Sequence, residues 1–437
     1  MTLTTSLSGL LPELEWRGML QATTPGLGPR LASGRPIAGY NGFDPSGPSL
    51  HIGSLVPIFG LLHLQRHGGT PVALVGGATG MIGDPSGRSS ERNLLDRETI
   101  EANVASIRGQ LERFLDFSPG SGGARLVNNL DWLGQTGLIE FLRDVGKHFT
   151  IPYMLAKDSV QVRLDRGLSY TEFSYMLLQA ADFEHLHRTM GVELQMGGAD
   201  QWGNITAGLE LIRRRAGGDP AESDAADGGG DAHGLAYKLL LTPSGTKFGK
   251  SEDGESIWLD PERTSPYAFY QYWLNVDDRD VGTYLRWFTL LDREAVEGLE
   301  AELAGAPELR SAQRAIAFDL TMRVHGADAA NRAISASEAA FKREPITDPD
   351  VLRTLNQHGE GFTFTDAQRR TGVARFLVDT GVLGSLGEAR RLIAGGGVSI
   401  GDVRPASPDD MVPEPAHGEW LVVRLGKKRV VVGHRAP

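Results

Sequence analysis

Residues 54 to 67 place Leu55, Ile58, Phe59, Leu62 and Leu64 near the 3.6-residue period of a helix, and Gly68-Gly69 ends the pattern. Pro57 falls in the first turn, where a missing N–H costs nothing. Just before it, residues 37 to 43 read as a short strand running into Asp44-Pro45-Ser46. Residues 71 to 77 form a continuous apolar run, the pattern of a strand buried on both faces of a parallel sheet. Residues 97 to 117 repeat Ile100, Val104, Ile107, Leu111 and Leu115 on one side and predict a helix, which the Gly/Ser/Pro run 118 to 123 breaks. Residues 127 to 132 restart as a strand, 137 to 145 as a short helix and 170 to 182 as a longer one. A strand over Val192–Gly198 and a helix ending at Arg215 complete an α/β alternation.

The second half changes character. From 265 to 341 the pattern is helical throughout, with Trp273, Tyr284, Trp287, Phe288, Leu290, Leu299, Ile316 and Leu320 as its apolar stripe, and it reads as a separate helical domain. Residues 345 to 365 read as a linker. The remainder combines a short helix over 386 to 393, the glycine turn 394 to 397, and strands at Val398–Ile400 and Trp420–Leu425. Residues 216 to 234, rich in Gly, Asp and Ala, form an insert expected to be disordered. No fixed-period repeat is present.

A chain of 437 residues exceeds one hydrophobic core, so two or three domains are expected. The absence of cysteine excludes disulfides, thiolate zinc sites and cysteine nucleophiles together. Residues 1 to 16 lack a basic stretch followed by an apolar core, and no run approaches membrane-spanning length, so a cytoplasmic protein without membrane contact is expected. A net charge of −11 argues against a chain that coats DNA or other nucleic acid nonspecifically. Near the C-terminus, however, Arg369, Arg370, Arg375, Arg390, Arg391, Arg424, Lys427, Lys428 and Arg429 outnumber the acids, which makes that end the candidate RNA face.

The candidate chemistry sits at turns between strands and helices. His51-Ile-Gly-Ser54 opens a helix, where free N–H groups and the positive end of the helix dipole attract phosphate, and His51 and Ser54 add donors. A lone histidine there is also an ordinary surface residue. Lys247-Phe-Gly-Lys250-Ser251 lies in a Gly/Ser-rich stretch and is either a solvated basic loop or the other half of a phosphate clamp. The loop 78 to 88 follows a strand, the place where open α/β sheets keep ligands, but it matches neither a Walker loop nor GxGxxG. Asp84 in it either caps a turn or holds a substrate cation. Tyr175, Gln179 and Asp182 share one helix face, as a solvated stripe or as a wall that hydrogen-bonds a small polar ligand. Asp200 and Gln201 follow the strand Val192–Gly198, where a carboxylate can accept from ribose hydroxyls.

Several motifs in order, Tyr40-x-Gly-x-Asp44-Pro, His51-Ile-Gly, Gly76-Gly-Ala-Thr-Gly80, Gly83-Asp84-Pro-Ser, Phe173-Ser-Tyr175-Met-Leu-Leu-Gln179, Gln195-Met-Gly-Gly-Ala-Asp200-Gln-Trp-Gly-Asn204 and Lys247-Phe-Gly-Lys250-Ser251, resemble the bacterial tyrosyl-tRNA synthetases of class I over nearly the whole chain. The resemblance implies a Rossmann-like parallel-sheet catalytic domain over 1–264, with a connecting insertion at about 118–165 as a possible dimer contact. It further implies a helical domain on the anticodon side of tRNA over 265–344, a linker over 345–368, and a small α+β RNA-binding domain over 369–437 similar to ribosomal small-subunit protein four. It implies that ATP and L-tyrosine form tyrosyl-adenylate and pyrophosphate, and that the tyrosyl group then passes to the terminal adenosine of tRNA, by a homodimer with tRNA spanning both subunits.

By position, Tyr40 and Asp182 would bind the tyrosine phenol, and Asp84, Tyr175 and Gln179 its ammonium, with Gln195 nearby. His51, Gly53 and Ser54 would face the ATP phosphates, with Asp44 and Ser46 close by. Gly198, Asp200 and Gln201 would face the ribose, and Lys247, Lys250, Ser251, Arg88 and Arg92 the pyrophosphate. Magnesium would come with ATP, held by phosphate and water. The nucleophile is already a carboxylate, so positioning and charge stabilisation suffice without a general base. The chain departs from the family at Ser54 for a second histidine, Ser46 for threonine, Asn41 for cysteine, where an amide can still reach a ribose hydroxyl, and Arg88 for lysine. Two other readings are a tryptophanyl enzyme, against which Tyr40 and Asp182 argue, and an RNA-binding protein without catalysis, against which Lys247, Lys250, Asp84 and Gln179 argue.

Overall fold

The computed structural model describes residues 6–84, 96–120, 122–157, 160–161, 167–217, 231–241, 248–249, 256–342, 344–426 and 429–436. They form two compact units, one of Met1–Asp260 with Asp277–Ala304 and one of Pro261–Val276 with Gly305–Pro437.

The first unit is built on a six-stranded sheet of β1 (Leu20–Thr23), β2 (Ala38–Phe43), β3 (Thr70–Val75), β4 (Arg125–Asn128), β5 (Val192–Gly198) and β6 (His233–Tyr237), in the order β1-β6-β5-β2-β3-β4. Five strands are parallel, and β1 closes one edge antiparallel to β6. After the edge strand β1, the parallel part starts in the middle at β2, builds outward through β3 and β4, then crosses to β5 and β6 on the other side. The connections therefore diverge beyond the carboxyl ends of β2 and β5, which opens a crevice there. Register sets Tyr40 beside Gln195 and Val72, so neighbouring strands present these residues on one face.

The helix Leu55–Arg66 packs its buried Ile58, Phe59, Leu61, Leu62 and Leu64 on this sheet. Gly60 is required within it, because a Cβ there would lie 1.8 Å from the Tyr237 hydroxyl. Burying five such side chains contributes on the order of 10 kcal/mol before entropy is subtracted. The helix Tyr170–Met190 starts where the Ser169 hydroxyl accepts from the Glu172 N–H and ends at Gly191, whose φ of 64° only glycine adopts without strain. It runs two turns past Asp182, so that residue lies mid-helix rather than at its end.

Several expectations are corrected. The helix Arg97–Leu111 ends before 117, and the strand expected from 127 is Arg125–Asn128 followed by the helix Leu130–Leu133. The break arises because the Asn128 carboxamide oxygen accepts from the Leu130 N–H. Residues 233 and 234 are ordered in β6, with Ala232 fully buried, so the insert ends earlier than its composition suggests. The helical stretch 265–344 does not form one unit. Asp278–Phe288 joins the first unit because Phe288 packs edge-on against Phe59 of the helix Leu55–Arg66, and buried Arg17 donates to the carbonyls of Arg286, Thr289 and Leu291.

The second unit contains the helices Pro266–Leu274, Ser311–His325, Ala327–Phe341 and Pro349–His358 and a sheet of β7 (Glu360–Phe364), β8 (Val398–Ile400), β9 (Trp420–Leu425) and β10 (Arg429–Arg435), ordered β7-β10-β9-β8. The expected linker 345–368 thus holds a helix and a strand. Its short amphipathic face, Val351, Leu352 and Leu355, is buried with Ile346, Trp420, Val422 and Val432. Arg369, expected on the RNA face, is buried instead, donating to the Glu414 carboxylate at 2.6 Å and to the Val412 carbonyl at 3.2 Å. Arg424 likewise donates to the carbonyls of Ala339, Ala340 and Glu344. Among the described residues no helix is long and apolar enough to cross a membrane.

Candidate active site

A cavity of about 340 Å³ occupies the crevice beyond β2 and β5. Its walls include Tyr40, Asn41 and Asp44 from β2 and its exit, Gln195 and Gly198 from β5, and Tyr175, Gln179 and Asp182 from the helix Tyr170–Met190. His51, Gly53, Thr79, Asp84, Asp200, Gln201 and Phe248 also line it.

One end is lined by the buried side chains of Tyr40, Asp182 and Gln195. Among the described residues, the buried hydroxyl of Tyr40 and the buried carboxamide oxygen of Gln195 have no hydrogen-bond partner. Burial, reinforced by the Asp182 charge, pushes the Tyr40 phenol well above its ordinary value, so it is a neutral donor. Asp182 is buried beside it, yet both of its oxygens are held, Oδ1 by the Trp132 indole N–H at 2.8 Å and Oδ2 by the Asn129 amide at 2.9 Å. Burial raises its carboxyl to about 7, against the lowering effect of those two donors and with a further push from Asp44. Asn129 is itself fixed, donating to Thr79 Oγ1 at 2.9 Å and accepting from the Ala78 N–H at 2.8 Å. A buried polar group without a partner costs about 1–3 kcal/mol, so this end suits a ligand hydroxyl that accepts from Tyr40 and donates to Asp182.

The middle is a chain of amides and carboxylates. Gln201 donates to Asp84 at 2.7 Å, Asn204 to Gln179 at 2.9 Å and to Gln201 at 3.1 Å, and Tyr175 to Asp44 at 3.4 Å. These bonds aim the oxygens of Asp84 and Gln179 from two walls, an arrangement suited to a ligand cation.

The outer end carries the helix start. His51 Nδ1 accepts from the Gly53 N–H at 3.0 Å, so a neutral ring bears its proton on Nε2 and can donate outward. Two backbone bonds, Ile52 N–H to Ile257 and Leu259 N–H to Leu50, both at 2.9 Å, hold this turn, and Trp258 meets the His51 ring edge-on. Gly53 is dictated by that approach, because a Cβ would lie 2.6 Å from the imidazole. At Gly198 a Cβ would lie 2.6 Å from Asp200 Oδ1.

Thus Tyr40, Asp44, His51, Gly53, Asp84, Tyr175, Gln179, Asp182, Gln195, Gly198, Asp200 and Gln201 converge on one cavity. Ser46 and Ser54 do not line it; Ser46 is exposed, and the Ser54 hydroxyl makes no capping bond. Arg88, Arg92, Lys247, Lys250 and Ser251 lie outside the described residues. Asn41 lines the cavity, with its amide nitrogen donating to the Pro57 carbonyl at 3.2 Å and the Tyr237 hydroxyl at 3.3 Å. Sequence reading missed Thr79, Asn129, Trp132 and the bridging role of Asn204. The signal for Asn129 was its place just beyond an apolar run, the same position at a strand's carboxyl end that marked Asp84 and Asp200.

The chain is matched over residues 32–342 by the family model for tRNA synthetases class I (W and Y). It is 49% identical over 432 residues to the tyrosine–tRNA ligase of Anaeromyxobacter dehalogenans, covering 97% of this chain and 98% of that protein. It is 46% identical over 428 residues to that of Geobacillus stearothermophilus, covering 96% and 98%. Among solved structures, the C-terminally truncated mitochondrial tyrosyl-tRNA synthetase of Coccidioides posadasii superposes with a TM-score of 0.64 at 32% identity, over 75% of this chain and 91% of the other. The tryptophanyl-tRNA synthetase of Plasmodium falciparum, at 13% identity and a TM-score of 0.51 over 81% of this chain and 91% of the other, shares the fold.

Proposed function

Because the chain belongs to the class I tRNA synthetases of the tryptophan and tyrosine group, we propose a residue-level account of how it handles its substrates. The enzyme is a tyrosine-specific aminoacyl-tRNA ligase that uses ATP to activate tyrosine and charges tRNA with it. The observation that carries the side-chain assignment is the closed end of the cavity, where the Tyr40 hydroxyl has no partner among the described residues and the Asp182 carboxylate is held at both oxygens. The tyrosine phenol satisfies both, and Asp84, Tyr175 and Gln179 take its ammonium, with Gln195 beside them. A tryptophan indole offers one N–H donor and no acceptor, which leaves the Tyr40 hydroxyl unpaired.

With the amino acid so fixed, its carboxylate points toward the helix start at His51. It attacks the α-phosphorus of ATP, the bond to pyrophosphate breaks, and tyrosyl-adenylate forms; the terminal ribose hydroxyl of tRNA then displaces AMP. His51 donates from Nε2 to the phosphates as their charge shifts, with Ser46, Ser54 and Gly53 nearby, while Asp44, Gly198, Asp200 and Gln201 orient the nucleotide. Lys247, Lys250, Ser251, Arg88 and Arg92 complete the pyrophosphate side by resemblance. ATP enters as its magnesium complex, the ion held by phosphate and water, in keeping with cavity carboxylates already engaged by Gln201, Tyr175, Asn129 and Trp132.

The proposed setting is the cytoplasm, and the proposed assembly a homodimer. Supporting the dimer, Leu138, Ile139, Leu142 and Ile151 are exposed within the segment 118–165, at 71%, 76%, 43% and 58%. Replacing Leu138 and Ile139 together with aspartate should shift the protein to monomers in sedimentation; an unchanged dimer would reject this contact. The C-terminal part, 369–437, is the proposed RNA-binding module. Of its basic residues, Arg390 and Arg391 stand exposed on the helix Leu386–Ala394. Replacing both with alanine should leave pyrophosphate exchange unchanged, weaken tRNA binding, and lower the salt slope of that binding by about one for each phosphate no longer neutralised.

A further inference from the structure

An aromatic stack outside the cavity adjoins one of the two donors to Asp182. His185, one turn beyond Asp182 on the same helix, lies face to face on the Trp132 indole, with centroids 4.4 Å apart and planes 10° from parallel. The other side of this contact is functional, since the Trp132 N–H donates to Asp182 Oδ1 at 2.8 Å. Trp132 has little local support. It sits in the four-residue helix Leu130–Leu133, too short to be stable alone, and the residues after it, 134–137, run along the surface. Its ring is therefore oriented by the Asp182 bond, by partial packing on the core around Tyr40 and Phe183, and by His185.

We propose that His185 is a positioning residue for tyrosine recognition, acting through the stacked Trp132 indole on Asp182. His185 does not line the cavity and is absent from the motifs that mark the site. Burial, aided by Arg188 and opposed by Glu184, lowers the imidazole from its ordinary value, so a neutral ring stacks at pH 7. Glu184 is paired with both Arg188 at 3.0 Å and Arg215 at 2.8 Å, and this keeps its carboxylate engaged away from the stack. The step is one of orientation. A fixed indole keeps its N–H on Oδ1, which leaves Asp182 in one rotamer with a lone pair directed at the ligand; a loosened indole lets the carboxylate turn.

This inference rests on the tyrosine-binding role proposed for Asp182. The test is ATP–pyrophosphate exchange by the full chain with tyrosine and with phenylalanine, for the parent, His185→Ala, His185→Leu and His185→Phe. A stacked aromatic pair is worth about a two- to tenfold change in an equilibrium constant. His185→Ala and His185→Leu should raise the KM for tyrosine by about that factor and narrow the tyrosine-to-phenylalanine ratio of kcat/KM equally, with kcat and the KM for ATP unchanged. His185→Phe, which keeps the stack, should restore both. Unchanged tyrosine KM and ratio in the alanine and leucine variants, equal losses for both amino acids, or no rescue by phenylalanine would overturn it. If the parent itself shows no preference for tyrosine, the Asp182 reading fails, and this inference fails with it.

Discussion

Asp182→Asn lowers kcat/KM for tyrosine by roughly one to two orders of magnitude and leaves that for phenylalanine nearly unchanged; this is the largest specificity effect expected of a single substitution here. The reason lies in what surrounds the group. Both oxygens of Asp182 accept from fixed donors, Asn129 and Trp132. An asparagine there keeps one oxygen and sets an NH₂ group against one of those donors. It thus loses a charge-assisted acceptor for the phenol and leaves a buried donor unpaired. Tyr40→Phe removes only a neutral bond and should cost about two- to tenfold. The loss in both cases belongs to KM for tyrosine and to discrimination, as steady-state exchange with each amino acid will show.

The same carboxyl predicts a pH signature. Burial pushes it up from 3.8 to about 7. Only the ionised form accepts the phenol proton while keeping both of its donors, so KM for tyrosine should rise as pH falls below about 7, approaching tenfold per unit. KM for phenylalanine should stay flat, so discrimination narrows in acid. The stability effect has the opposite sense. A carboxyl whose folded value lies above its unfolded one favours folding most below about 3.8 and loses that contribution as pH rises through about 7. The free enzyme therefore carries a stability cost at neutral pH that bound tyrosine offsets. A tyrosine KM independent of pH between 6 and 8 would contradict this assignment.

The second large effect is at the other end of the cavity. His51→Ala should lower the rate of adenylate formation by roughly a hundredfold or more with little change in KM for ATP, because a donor aimed at charge that develops in the transition state acts there alone. The Nδ1 bond from Gly53 fixes the ring and its tautomer, so the loss is one of a preorganised donor. Ser54→Ala should cost much less, about two- to tenfold, since its hydroxyl is short, neutral and outside the cavity lining. Pre-steady-state adenylate formation separates the two. A Ser54 effect as large as that of His51 would mean that the serine takes the full part of the histidine usual at that position.

How far the sequence carried this reading depended on whether a signal was local. The strand Val192–Gly198 and the face formed by Tyr175, Gln179 and Asp182 were legible because period and spacing are properties of one segment. Their convergence with Tyr40 on one cavity follows from the order of β2 and β5 in the sheet, which motif order suggests and periodicity does not. Trp132 and Asn129 were not assigned, because their role exists only when β4 brings them against a helix some fifty positions away. The division within 265–344 was hidden for a similar reason. Helical period is the same whether a helix packs in the first unit, as Phe288 does on Phe59, or in the second. The stretch 345–368 was expected to be a linker, yet Pro349 is at the start of a helix, where it is well tolerated.

The central claim is that one cavity selects tyrosine by its phenol and activates it with ATP. Amino-acid-dependent ATP–pyrophosphate exchange by the purified chain without tRNA tests it most directly, with tyrosine, phenylalanine and tryptophan side by side. Robust exchange with tyrosine, and little or none with the other two, is the result expected. Equal exchange with phenylalanine would contradict the roles of Tyr40 and Asp182, and no exchange with any of the three, from folded protein that still binds tRNA, would contradict the account of activation itself.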